Sequence, residues 1–207
     1  MASPVVANFA TSTFGAVAAG IADPISPTLP SGVTAGDLLI ACVAGTELFS
    51  STNIIEVNVV DSPGWYIVGS TPATSSNYFL YVLAKIATGS DTLKIHSPAA
   101  LWGDAVVYDI TGHGSAVSMA TANSVGNTTN AAPPSLTISG SAQDMLWLTL
   151  AVMNSGTVAT VAPSGYSNLH TQALSTSISI STAEKQASAV TSETPGTFTS
   201  TWGTWVI

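Results

Sequence analysis

Three histidines, eleven carboxylates and one cysteine are the groups in this chain that could do acid–base, nucleophilic or metal chemistry. Their spacing assembles no familiar machine. His96, His113 and His170 stand far apart, with no i,i+4 pair or short strand spacing, so with a lone Cys42 they form no recognisable zinc ligand set. Gly112-His113-Gly114-Ser115 brings an imidazole near a hydroxyl, but in a glycine-rich turn and without the G-x-S-x-G elbow that presents a hydrolase nucleophile. A pair of carboxylates could hydrolyse a glycan. Asp104 and Asp109, however, lie five apart in one strand-like stretch, and that spacing sends them to opposite faces. Glu47 and Glu56 flank a loop and can meet, as some pair among eleven acids always can. Asp37 and Asp144 each precede an apolar run, where a short carboxylate caps a turn, and calcium would need further oxygen ligands beside them. Asn127-Thr128-Thr129 is a glycosylation sequon in a loop, a tripeptide that chance often produces. Cys42, inside the apolar run 38–44, reads as a small buried hydrophobe. The expectation is a non-enzyme with no catalytic residue, metal or cofactor.

The elements that would carry such groups say more. Gly36-Asp37-Leu38-Leu39-Ile40-Ala41 is echoed by Gln143-Asp144-Met145-Leu146-Trp147-Leu148. Pro63-Gly64-Trp65 is echoed by Ser164-Gly165-Tyr166, Ala84-Lys85 by Glu184-Lys185, and Trp102-Gly103 by Trp202-Gly203. Several unlike landmarks at nearly constant spacing mark a duplicated half-domain, with units over 36–110 and 143–207 and a connector over 111–142, rich in Gly, Ser, Thr, Asn and Ala. No long segment has helical periodicity. Apolar runs at 38–44 and 78–86, a turn at Thr88-Gly89-Ser90-Asp91 leading as a hairpin into 92–96, and a closing run at 105–110 predict strands. One short strand is expected near 116–122, and 188–197 reads as a loop. The fold class expected is all-β: a jelly-roll-like antiparallel β-sandwich with both units in one domain. Residues 1–35, with Pro24, Pro27 and Pro30 spaced by three, read as an extended N-terminal arm, with 5–9 and 25–29 as edge strands.

Apolar residues make up 46% of the chain and charged residues only 7%, against a usual ~25%. There is no Arg, and three Lys stand against eleven acids for a net charge of −8. A nucleic-acid partner requires a basic footprint to replace phosphate counterions, and an anionic membrane surface requires the same. Neither partner is expected. No apolar stretch reaches the 18 residues of a membrane span, and the N-terminus does not read as a signal peptide.

Aligning Lys85 with Lys185 sets Tyr78, Leu80 and Val82 against Ile178, Ile180 and Thr182, a shared core face. The other face differs: Phe79, Tyr81 and Leu83 in the first copy, Ser179, Ser181 and Ala183 in the second. The second can face water; the first must be covered by the N-terminal segment, the connector or, the favoured choice, another subunit. Trp65, Trp102, Trp147 and Trp202 sit at repeat landmarks and read as core anchors. Trp205 replaces Ala105 and joins Phe79, Tyr81 and Leu83 as an interface candidate.

At these landmarks the chain resembles a group of tailed-bacteriophage virion proteins. The resemblance runs from about 28 to 202. It rests on the stretch from Pro30 to Ala41, on Ser62-Pro63-Gly64-Trp65, on Ala87 to Asp91, on Pro163-Ser164-Gly165-Tyr166 and on Gly196-Thr197-Phe198-Thr199-Ser200-Thr201-Trp202. It implies a β-sandwich module of a phage particle and brings no active-site residues. Because the chain ends soon after the last motif, the resemblance favours a capsid decoration (cement) protein on the virion exterior. Its partners would be the major capsid protein and its own copies, in a homo-oligomer such as a trimer. A carbohydrate-binding adhesin or tail-fibre module for host attachment is the alternative. Exposed aromatics around a concave site with nearby acids would favour that alternative.

Overall fold

The computed structural model describes residues 3–15, 25–47, 56–57, 61–71, 78–96, 101–114, 125–126, 130–153, 156–174, 178–200 and 205–206. In chain order its strands are β1 (Val5–Phe14), β2 (Leu38–Glu47), β3 (Glu56–Val57), β4 (Tyr66–Thr71), β5 (Tyr78–Ile86), β6 (Ile95–His96), β7 (Leu101–Thr111), β8 (Val125–Gly126), β9 (Asn130–Ala131), β10 (Leu136–Thr137), β11 (Gln143–Met153), β12 (Ser167–Leu174), β13 (Ile178–Val190), β14 (Ser192–Glu193), β15 (Phe198–Thr199) and β16 (Trp205–Val206). No helix occurs among the described residues. The long strands form two five-stranded antiparallel sheets, β1-β7-β2-β5-β4 and β8-β16-β11-β13-β12. The protein is an all-β sandwich, and each half of the chain builds its own sheet.

Read in parallel, the two orders match strand for strand: β1 with β8, β7 with β16, β2 with β11, β5 with β13, β4 with β12. The correspondence extends to the small pieces, where Ile25 bridges Ile95 and Ala131 pairs with Phe198. The repeat is therefore longer than its sequence landmarks. Its first copy takes in β1 and Ile25, and its second recruits β8 and β9 from the connector. The strand expected near 116–122 lies outside the described residues.

Between the sheets, Leu80, Val82, Ile178 and Ile180 meet Leu38, Ile40, Cys42, Val106, Tyr108, Ile110 and Val152. This is the parity the repeat alignment selects. Cys42 is inside it, and burial pushes its thiol pKa up.

The outer faces are covered too. On the first sheet Phe14, Gly103, Gly45 and Phe79 stand side by side across four strands. A Cβ at Gly45 would overlap the Phe79 ring, and one at Gly103 would overlap the Phe14 ring and the Ala44 carbonyl. The two glycines are the floor on which the two rings lie. Ile25, Leu29, Val33, Trp65, Leu93 and Ile95 complete the cover. Phe79 and Leu83 are thus buried by their own chain, with Tyr81 half-buried beside them. The face expected to meet another subunit is already occupied by segments 25–33 and 93–95. The backbone of Trp205 pairs with Gly126 and Met153, and its side chain lies outside the described ones.

Three further expectations change. The edge strand expected over 5–9 is present and runs on to Phe14, paired along β7, so it belongs to the sheet rather than to an arm. The chain after Asp91 does not form a hairpin with β5, because β2 and β4 already occupy both edges of β5. It crosses over the sheet instead, burying Leu93 and Ile95, and β6 pairs with β3. Finally Ser179, Ser181 and Ala183 do not face water: each is at most 1% exposed. Small side chains there let a loop settle directly on the sheet. Ser179 Oγ donates to the Thr157 carbonyl at 2.5 Å, and the Ala159 N–H donates to Ser181 Oγ at 3.0 Å. The hydroxyls find in loop backbone the partners water would have supplied.

Candidate functional site

Most polar groups with chemical potential are engaged in holding the repeat together. In the first copy Lys85 Nζ lies 2.6 Å from Asp91 Oδ1, both side chains almost fully buried. Asp91 also accepts from Thr88 N, Thr88 Oγ1 and Gly89 N, closing the turn. Burial alone would raise the pKa of Asp91; the bonds from Lys85, Thr88 and Gly89 outweigh it and hold the carboxyl below its ordinary range. Trp65, itself buried, donates its Nε1–H to the Thr92 carbonyl. In the second copy Lys185 Nζ reaches both Glu193 oxygens at 2.8 Å and lies 5.8 Å from the Tyr166 ring centroid. Burial, then the Glu193 carboxylate, push the Tyr166 hydroxyl pKa up. Gly64 and Gly165, with φ of +83° and +81°, turn the chain beside each lysine.

A second polar place joins the start of β2 to the end of β7. Asp37 accepts from Thr34 N and Oγ1. Asp109 is 3% exposed, with Oδ1 lacking a hydrogen-bond partner. Burial, the Asp37 charge and a hydrogen bond to Asp37 raise its pKa. His113 sits close by, its ring nitrogens 2.8 Å from the Gly36 and Gly114 carbonyls. Its partners are backbone oxygens and not a nucleophile; Ser115 lies outside the described residues. Asp104 and Asp109 lie on opposite faces of β7, as their spacing requires. The side chains of Glu47, Glu56 and His96 lie outside those described. Among the described residues no three His, Cys, Asp or Glu side chains gather where they could hold a metal ion.

The third place is a cleft of about 340 Å³ at one end of the seam between the sheets. Val5 and Val6 of β1 line it, together with Gly165, with Ser167 and Asn168 of β12, and with Glu184, Lys185 and Gln186 of β13. Glu184 is 7% exposed and accepts a hydrogen bond from Asn168 Nδ2. Behind it the Tyr108 hydroxyl meets Thr182 Oγ1. His170 stacks on Phe9 with ring centroids 3.6 Å apart, and burial lowers its pKa. None of these residues stands at a chemical motif. The repeat alignment carries the one signal that could have found them, because Ala84 and Ile86 in the first copy become Glu184 and Gln186 in the second.

Comparison with descriptions of protein families, with curated proteins and with solved structures gives no match for this chain.

Proposed function

We propose that this chain is a non-enzymatic structural protein of a bacteriophage particle that decorates and stabilises the capsid exterior, with the major capsid protein as partner and self-association on the shell. The observation that carries the reading is where the resemblance falls. Its landmarks are the Pro30–Asp37 turn, the Gly64-Trp65 corner and the Thr88–Asp91 cap, which are the residues that build the doubled sandwich and close its ion pair. The described ionisable groups support the same reading, since most are engaged in scaffold contacts. The test adds the purified chain to particles that lack it. Expected are ordered density on the capsid exterior and a higher temperature of genome release. Absence of the chain from sedimented particles would refute the reading. The adhesin or tail-fibre reading is supported by the polar cleft alone, and retention of the chain on host-surface glycans would favour it.

A further inference from the structure

The cleft at Glu184 poses a question the fold does not answer. A carboxylate that is 93% removed from water carries a desolvation cost unless it is paired. The scaffold does not require it there. At the equivalent position of the first copy stands Ala84, and Tyr66, Ile67 and Ile86 occupy the places of Ser167, Asn168 and Gln186. That copy keeps the same strand order with an apolar site, whose Tyr66, Ile67 and Ile86 are exposed by 48%, 44% and 46%. The polarity of the second site therefore belongs to the site and not to the sandwich.

The hydrogen bonds around the cleft define what it lacks. Its donors are engaged within the protein: Asn168 Nδ2 on Glu184, Gln186 Nε2 on the Pro4 carbonyl at 3.1 Å, Ser167 Oγ on the Glu184 carbonyl at 3.4 Å, and Lys185 Nζ on Glu193. Lys85 is paired with Asp91 and Lys185 with Glu193, so neither of these lysines serves as the cation of Glu184. The cleft is thus lined by Glu184 and by Asn168 and Gln186, whose donors are spent within the protein, while the ammonium of the lining Lys185 is held on Glu193, in a chain whose net charge is −8. We infer that this cleft receives a cationic side chain, the ammonium of a lysine or the guanidinium of an arginine, projected by the protein partner, with Glu184 as its counter-ion and the Asn168 and Gln186 carbonyl oxygens as further acceptors. Val5 and Val6 offer the apolar wall along which such a side chain lays its methylene stem. The partner assignment rests on the capsid reading; the cationic site does not.

The experiment titrates the isotope-labelled full chain with N-acetyl-lysine methylamide and, as its uncharged isostere, N-acetyl-norleucine methylamide, following backbone amide shifts. The lysine probe is expected to shift Ser167, Asn168, Glu184 and Gln186 and the norleucine probe to leave them in place. Glu184→Gln should weaken the response at least about tenfold, the loss of one charge-assisted bond. Gln186→Lys, at an exposed position that leaves the core untouched, should abolish it by supplying an ammonium from within. No shift with lysine, equal shifts with norleucine, or indifference to both variants overturns the site. A response to glucose, galactose or N-acetylglucosamine in place of lysine overturns it in favour of the adhesin reading. The same variants are then added to particles lacking the chain. Full loading by Gln186→Lys overturns the partner assignment. Failure of the wild-type chain to load, with lysine binding intact, removes the capsid reading and leaves the cationic site standing.

Discussion

Lys85 and Asp91 form a buried ion pair in the first copy. Removing one member of a buried pair leaves an uncompensated charge and typically costs about 3–5 kcal/mol. Asp91→Asn should therefore lower the melting temperature by roughly 10 °C in a chain of this length. Glu193→Gln, beside the 30%-exposed Lys185, should have a much smaller effect, nearer the ~1 kcal/mol of solvated pairs. Calorimetry of the two variants checks the contrast, and equal effects would contradict it. The carboxylates also predict a pH profile with two limbs of opposite sign. Asp109 has its folded value raised, so its contribution is fully present below the unfolded value and is lost as pH rises through the folded one. Asp91 has its folded value lowered, so its contribution holds above the ordinary carboxylate range and is lost as pH falls below it. Stability should rise on mild acidification from neutral pH, then fall steeply in stronger acid. Asp109→Asn should remove the rising limb and keep the falling one. Chemical denaturation across pH decides it; a rising limb that survives in the variant would show that the proton sits elsewhere.

At the level of strands, the aromatic rings laid over Gly45 and Gly103 set a steric test. Gly45→Ala pushes a methyl into the buried Phe79 ring and should cost about 1–3 kcal/mol, as overpacking usually does. Gly103→Ala meets the Ala44 carbonyl as well as the Phe14 ring, so backbone must move and the loss should be larger. Phe79→Leu added to Gly45→Ala should recover part of the loss, and a purely additive double variant would count against the stacking. The strands themselves were legible because apolar parity repeats: Leu80 and Val82 against Ile178 and Ile180 locate the inter-sheet core from sequence alone. The roofs were not. Sequence shows that Phe79 and Leu83 require cover but cannot say that Ile25, Leu93 and Ile95 provide it from distant positions. It also reads Ser179 and Ser181 as wet, because a hydroxyl satisfied by loop backbone looks the same as one satisfied by water. The Glu184 cleft stayed hidden for a related reason: its members come from β1, β12 and β13, and only the difference between the copies marks them.

Over the whole molecule, the N-terminal strand is part of the scaffold, so deletion of residues 1–14 should strip β7 of its edge partner and unfold the sandwich well below the melting point of the full chain. A truncated chain with an unchanged melting point would return those residues to the role of an arm. The scarcity of basic residues has a last consequence, in how the folded protein meets proteases. Trypsin cuts after Lys or Arg, and this chain offers it Lys85, Lys94 and Lys185 alone. Lys85 and Lys185 lie within β5 and β13, each paired to a strand on both sides. The bond after Lys94 leads into Ile95, which is buried and bridged to Ile25. The bonds after Lys85 and Lys185 open only with a sheet, so cleavage there should proceed at the pace of global unfolding, and cleavage after Lys94 requires release of the segment that covers the first sheet. Resistance to trypsin is thereby set by the same cores and ion pairs that define the fold.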